Sequence, residues 1–480
     1  MLAAATGDRT IRHNKSRSNV VRLFNHWFAS NTLLQVVFDA ILLFLSVVLA
    51  VAFLNHGALL TLEIVVPDAL LFALTMVALN TIVGLYQRNP GRTMAQTTAR
   101  IVISLLLAVP VAWAIFTFLP RGEAWNETLR LAVPLAFVTF VAIRGIAAQS
   151  GILPLFARRT LVLGTGAEAL AVEQSIGQLD HAVRFLGFFP AKKTETANQV
   201  ANNRILSGTT DLVDAVRRHK VDDIIVAVRE RRGGVLPLRE LLDCKLLGVR
   251  VLDLSSHYER TVGQLRLDSL HASWLIFGEG FRQGFTRAFV KRLFDLIASV
   301  MLLVLAAPVI VVAAAVIALE SGFPILYRQE RVGQGGRLFN VIKFRSMRRD
   351  AEHDGKPRWA VNNDDRVTRT GRVMRKLRID ELPQLINVLR GDMSLVGPRP
   401  ERPYCVDQLA REIPYYAVRH SVKPGVTGWA QVRYKYTASM DDAVQKLQYD
   451  LYYVKNHTLF LDIVILFETV GVVLTGEGAQ

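Results

Sequence analysis

The chain has 480 residues, too long for one ordinary domain; at ~150 residues per domain the length suggests about three. Hydrophobic residues make up 51%, which excludes a disordered chain, and their grouping into long blocks disfavours a purely soluble protein. Lys and Arg number 57 against 41 Asp and Glu, a formal net charge of +16, while two distant cysteines and ten scattered histidines exclude a disulfide framework and disfavour a zinc hydrolase.

Residues 1–31 read as a polar, basic arm, with Arg9, Arg12, Lys15, Arg17 and Arg22 against Asp8. Four apolar blocks follow within 32–150: Leu33 to Leu54, Pro67 to Tyr86, Ile101 to Leu119 and Leu129 to Ala148. Each is near the ~20 residues that cross a bilayer as a helix, so a four-helix transmembrane domain is predicted. Ala50-Val51-Ala52 has a cleavage-like pattern, but it lies inside its apolar block, so an uncleaved anchor is expected. Arg88, Arg92 and Arg100 in the second loop, with Arg144 near the end of the fourth block and Arg158 and Arg159 after it, put both ends of this unit in the cytoplasm. Asp39, near the cytoplasmic end of the first block, reads as a hydrated or helix-paired acid.

Residues 151–255 alternate short apolar strands with helical runs. Strands are predicted at Thr160 to Leu163, Val183 to Phe189, Arg204 to Leu206, Asp223 to Val228 and Val249 to Leu254. Helices are predicted after Gly164-Thr165-Gly166-Ala167, at Thr209 to His219 and at Leu236 to Leu247. That alternation implies a parallel sheet, a Rossmann-like α/β domain. The glycine turn lacks an acid at ribose spacing, so NAD is not expected there. Residues 256–285 read as a linker, with Trp274, Phe277 and Phe281 in a stretch that lies on another surface.

Leu296 to Leu319 is 24 residues without a charge, enough to span. Basic residues flank both sides (Lys291, Arg292; Arg328, Arg331, Arg337), which argues against carrying the rest of the chain outward. Pro308 removes a backbone donor mid-block and kinks the helix there. A kinked span and a helix that returns to the same side both fit this pattern.

Between Ser321 and Arg402 stand 18 basic and 10 acidic residues, interleaved with Gly and Pro. Such a stretch suits phosphate recognition, whereas sparse aromatics and the membrane blocks disfavour nucleic acid. Asp380-Glu381-Leu382-Pro383-Gln384 predicts a helix start running to about Leu389, with Pro383 in the first turn and Asp380 near the N-cap. Arg375, Lys376 and Arg378 nearby predict depressed carboxyl pKa values. An ionised Asp there is a competent nucleophile toward phosphorus, and a neighbouring Glu suits Mg²⁺. The run Leu459 to Leu474, broken by Asp462 and Glu468, fits either a helix lying on the membrane or a buried helix.

Gln329-Glu330-Arg331-Val332-Gly333, Lys343-Phe344-Arg345-Ser346-Met347, the Asp380-Glu381 stretch, Gly391 to Pro400 and Lys423 to Val432 together resemble the bacterial sugar transferases. These are polyprenyl-phosphate hexose-1-phosphate transferases that start exopolysaccharide, capsule and O-antigen assembly. The likeness covers about residues 286–480, and the preceding helices and α/β domain resemble the family's long form. It implies an α-rich monotopic catalytic domain with a reentrant membrane helix at about 292–319, broken at Pro308. It implies a ping-pong reaction in which Asp380 attacks the β-phosphate of a UDP-sugar, UMP leaves, and undecaprenyl phosphate takes the sugar phosphate. Asp380 and Glu381 are then catalytic and would hold Mg²⁺. Lys343, Arg345, Arg375, Pro398, Arg399, Pro400 and Arg433 would bind substrate. The resemblance further implies contact with membrane lipid, a homodimer, no nucleic acid, and a multi-pass protein of the bacterial inner membrane with its catalytic domain on the cytoplasmic face. Arg378 and Ala307 depart from the usual pattern, where many members have a small hydroxyl residue and a polar residue. An NAD-dependent nucleotide-sugar dehydratase or epimerase, and a nucleotide-sensing scaffold without catalysis, are the rival readings.

Overall fold

The computed structural model describes residues 20–23, 25–54, 62–86, 158–179, 183–191, 200–206, 211–228, 236–269, 280–281, 284–348, 366–434 and 439–475, with isolated positions between 98 and 138. The third and fourth apolar blocks, Trp274 and Phe277 thus lie essentially outside the described residues.

The described part of the basic arm is not simply polar chain. β1 (Val20–Leu23) pairs antiparallel with β2 (His26–Ala29), and Asn25 turns between them with φ 68°, a conformation Asn tolerates. Helices α1 (Ser30–Leu54) and α2 (Leu62–Ile82) follow. They meet through Leu43, Val47 and Ala50 against Ala69, Phe72, Ala73 and Met76. Asp39 is buried at 4% exposure, as a helix-paired acid would be. Among the described residues, Thr32–Phe53 and Phe285–Ser321 are long and apolar enough to cross a membrane, and Val66–Ile82 is a shorter apolar helix.

Four strands form an all-parallel sheet in the order β4-β3-β5-β6: β3 (Arg158–Leu163), β4 (Val183–Phe189), β5 (Asp223–Val226) and β6 (Arg250–Asp253). Helices α3 (Ala167–Leu179), α4 (Leu212–His219) and α5 (Leu238–Leu246) connect them. The strand period of two divides each strand between two cores. Leu161, Leu163, Ile224 and Val226 join one; Val162, Ile225 and Phe188 join the other. Two expectations fail here. Residues 204–206 make only an isolated bridge, Phe188 to Ile205, because Asn202–Arg204 is a 3₁₀ turn. The supposed linker from 256 opens inside a helix, α6 (Leu254–Thr261), capped by Asp253, whose Oδ1 accepts from the Ser256 N–H at 3.0 Å. The buried face of α6 mixes Leu254, His257, Tyr258 and Glu259, so it carries no apolar period.

The C-terminal part opens with α7 (Phe285–Ser321), 37 residues that run on through Pro308 and exceed the expected 292–319 at both ends. The hairpin β7 (Leu326–Val332) and β8 (Leu338–Phe344) follows, antiparallel from Leu326↔Phe344 to Val332↔Leu338. Next come α8 (Arg369–Lys376), α9 (Gln384–Arg390), β9 (Ser394–Val396), α10 (Pro403–Glu412), β10 (Gly425–Thr427), α11 (Trp429–Arg433), α12 (Met440–Asn456) and α13 (Leu459–Thr475). Their core includes Leu385, Val388, Met393, Val396, Leu451, Tyr452 and Ile465. α13 buries one face, on which Leu461, Asp462 and Ile465 are fully buried and both acids are paired, Asp462 with Lys291 at 2.7 Å and Glu468 with Arg433 at 2.6 Å, while Val470 is exposed. Gly471 sits on the carbonyl of Ile82, where any Cβ would collide, so α13 also seats on α2.

Candidate active site

Asp380 and Glu381 lie in a single 3₁₀ turn, Ile379–Glu381, not at the head of a long helix. The helix expected from Asp380 starts at Gln384, with Pro383 in the N-cap position. The turn is set by Arg378, which takes the left-handed conformation (φ 57°) and carries the chain sharply out of α8. Asp380 is therefore no cap of α9. Both acids are buried, at 8% and 7% exposure.

Three cations converge on one oxygen of Glu381. Lys343 Nζ lies 2.9 Å from Oε1, Arg399 Nη2 3.0 Å and Arg378 Nη1 3.8 Å. Burial pushes the Glu381 carboxyl up, but Lys343, Arg399 and Arg378 outweigh it and hold the group far below the carboxylate range. Asp380 moves the other way. Its burial and the charge of Glu381 raise it above its ordinary value, opposed by Lys343, Arg378 and Arg375. The expectation of two depressed acids thus holds for Glu381 and fails for Asp380, because burial and the charge of Glu381 outweigh Lys343, Arg378 and Arg375 there. Asp380 Oδ1 is buried without a hydrogen-bond partner. Such an atom costs on the order of 1–3 kcal/mol, and its retention points to chemistry rather than to folding.

Each member of the cluster is positioned by its own element. Lys343 projects from β8, and Asn387 of α9 fixes that strand against the dyad. The Asn387 amide donates to the Asn340 carbonyl at 2.8 Å and its oxygen accepts from the Ile342 N–H at 3.0 Å, so a side chain takes the place of a third strand. Arg399 follows β9, which pairs in parallel with β10. Gly397, Gly425 and Gly428 permit that pairing: a Cβ on any of them would strike backbone of the facing segment. Pro398 and Pro400 flank Arg399, and their carbonyls accept from Gly425 N (2.9 Å) and Arg331 Nη1 (3.2 Å).

The other expected binding residues are placed differently. Arg375 lies on α8 and acts on Asp380 through its field. Arg345 is buried at the foot of α7, where Nη2 donates to the Ser321 carbonyl at 2.7 Å and to the Ser321 hydroxyl at 3.1 Å. Arg433 pairs with Glu468 and lies 4.2 Å over the Trp429 ring. Arg378, expected as a cation near the dyad, reaches Glu381 itself, whereas Asn387 is a site residue that no local signal in the sequence marks.

Residues 286–476 match the family model described as Bacterial sugar transferase. The chain is 46% identical over 242 residues to the UDP-N-acetylgalactosamine-undecaprenyl-phosphate N-acetylgalactosaminephosphotransferase of Aeromonas hydrophila, covering 50% of this chain and 56% of that relative. It is 33% identical to the undecaprenyl-phosphate glucose phosphotransferase of Komagataeibacter xylinus, across 77% of this chain and 68% of the relative. It is 44% identical to the UDP-glucose:undecaprenyl-phosphate glucose-1-phosphate transferase of Caulobacter vibrioides, across 39% of this chain and 71% of the relative.

Proposed function

Because the chain belongs to the bacterial sugar transferase family, we propose that it moves a sugar 1-phosphate from a UDP-sugar to undecaprenyl phosphate and releases UMP. The observation that carries this reading is the buried, unpartnered Oδ1 of Asp380 beside a Glu381 neutralised by three cations. Asp380 attacks the β-phosphorus; the bond to the bridging oxygen breaks and UMP leaves with that electron pair. An oxygen of undecaprenyl phosphate then attacks the same phosphorus, and the Asp380 carboxylate is regenerated. Lys343, Arg378 and Arg399 are disposed to share their charge with a diphosphate, the main requirement of phosphoryl transfer. The relatives' names favour a hexose or N-acetylhexosamine donor.

Mg²⁺ fits this dyad. Among the described residues no group of three or more ligating side chains occurs, so an ion would rely on Asp380 and Glu381 with phosphate oxygens, as Mg²⁺ usually does. When bound it would neutralise phosphate charge and draw the Asp380 pKa down.

The membrane arrangement belongs to the same proposal. α7 is read as a reentrant helix turning near Pro308, with the catalytic unit on the cytoplasmic face of a multi-pass inner-membrane protein. Both ends of α7 are tied to one body: Arg292 donates to the carbonyls of Val388 and Leu389, and Arg345 holds the Ser321 end. Between them Val304, Leu305, Val311 and Val312 are exposed. A straight span would part those ends by ~30 Å of hydrocarbon. The parallel-sheet unit is read as a Rossmann-like helper that supports a homodimer, consistent with the exposed stripe Leu238, Leu242 and Leu246 on α5.

The test is mass spectrometry after mixing the protein with a UDP-sugar and no lipid acceptor. A peptide containing Asp380 gains one sugar phosphate in the wild type and none in Asp380→Asn. Full turnover in that variant would overturn the mechanism.

A further inference from the structure

Against the backbone of Arg399 lies a buried ionic group that the proposed chemistry does not use. Arg419 and Asp450 are 5% and 2% exposed, and their charges meet at 2.8 Å. Arg419 Nη1 donates to the Tyr416 hydroxyl at 2.7 Å. Its Nη2 also donates to the backbone carbonyl of Arg399 at 2.9 Å.

Burying an ion pair rarely gains net stability, because desolvation cancels most of the attraction. A pair kept at such a place is better explained by what it holds. The three successive carbonyls of Pro398, Arg399 and Pro400 are each fixed by a separate donor: Gly425 N, Arg419 Nη2 and Arg331 Nη1. Neither proline has an N–H, so this short run can be anchored at those positions only through its carbonyls. The middle one belongs to the residue whose guanidinium reaches Glu381 at 3.0 Å. A free arginine side chain loses rotamer entropy when ordered, so a fixed backbone root lowers the cost of placing its fork.

We infer that Arg419, backed by Asp450 and Tyr416, is a positioning residue that aims Arg399 at the diphosphate. The inference rests on the reading of Asp380, Glu381 and Arg399 as the donor site.

The test uses the full chain in lipid nanodiscs with UDP as the probe, its dissociation constant measured by calorimetry. Arg419→Gln combined with Asp450→Asn removes both charges together and avoids an unpaired buried ion. UDP affinity should fall about 10-fold in this variant, a loss typical of a displaced binding group. Built on Arg399→Ala, the same pair of changes should alter UDP affinity by less than about 2-fold, because the group it positions is already gone. An equal loss in both backgrounds would assign Arg419 a general structural role and overturn the inference alone. If Arg399→Ala itself left UDP binding unchanged, the donor-site reading would fall, and the inference with it. Arg419→Lys keeps the charge facing Asp450 and serves if the paired variant does not fold. Its smaller loss must likewise vanish on Arg399→Ala, and persistence there counts against the proposal.

Discussion

The parallel-sheet unit and the C-terminal unit each bury acids among arginines, and they spend them differently. In the sheet, Asp223 meets Arg158 at 2.8 Å and Arg250 at 3.4 Å. Burial still raises its pKa, yet both of its oxygens accept from Arg158. In the C-terminal unit one acid, Glu381, collects three cations while its neighbour Asp380 keeps an oxygen without a partner. A satisfied buried acid maintains a fold. An unsatisfied one beside surplus positive charge is reserved for a ligand.

Exchanging the roles of these acids by substitution is the sharpest way to break the comparison. Asp380→Asn should lower transfer by about 10³-fold or more, since a covalent route needs the carboxylate, while thermal unfolding is unchanged or shifted upward. Radiolabelled sugar transfer and a melting curve on one sample check both. Glu381→Gln should cost activity about 10²-fold, the scale of losing one preorganised electrostatic group, and should also lower the melting temperature, because three cations lose their anion. Asp223→Asn should do the reverse of Asp380→Asn. Breaking one side of a buried pair should destabilise by about 3 kcal/mol, read by denaturant titration, while turnover per folded molecule stays near wild type.

A subtler test is pH. Asp380 is raised above its ordinary 3.8, so as pH climbs from there through the folded value the native state releases a proton it held more tightly than the unfolded chain. Stability falls across that window, and Asp380→Asn should lack the fall. Glu381, held below 4.5, contributes stability that is present above that value and lost as pH drops below it. Wild type minus Asp380→Asn should therefore be about zero below pH 3.8 and unfavourable to wild type at neutral pH.

Much of this was legible in the chain. Lys343, the dyad and Arg399 stand in compact runs whose Gly and Pro residues announce backbone approached closely, and strands β3 to β6 show the alternation of a parallel sheet. What escaped was long-range. Nothing near Arg345 announces that it clasps Ser321, 24 positions upstream. Nothing near Arg433 announces Glu468. Arg378 in a left-handed conformation makes the dyad turn 3₁₀, a choice imposed by packing rather than by local preference. Helix α6 hid because Ser255, His257 and Glu259 stand among its buried residues and blur its apolar period.

The C-terminal core also has a history in time. Tyr452 hydrogen-bonds His26 at 2.7 Å, Trp429 donates to the Gly263 carbonyl at 2.9 Å, and Lys455 holds both oxygens of Glu259 at 2.8 Å. Every partner in that list leaves the ribosome well before the residue that needs it. Residues 429–456 therefore emerge after their partners have been synthesised, and the core is complete only once Leu461 and Ile465 of α13 have followed. A fragment beginning at 285 would have to bury the Lys455 charge with no Glu259 waiting for it.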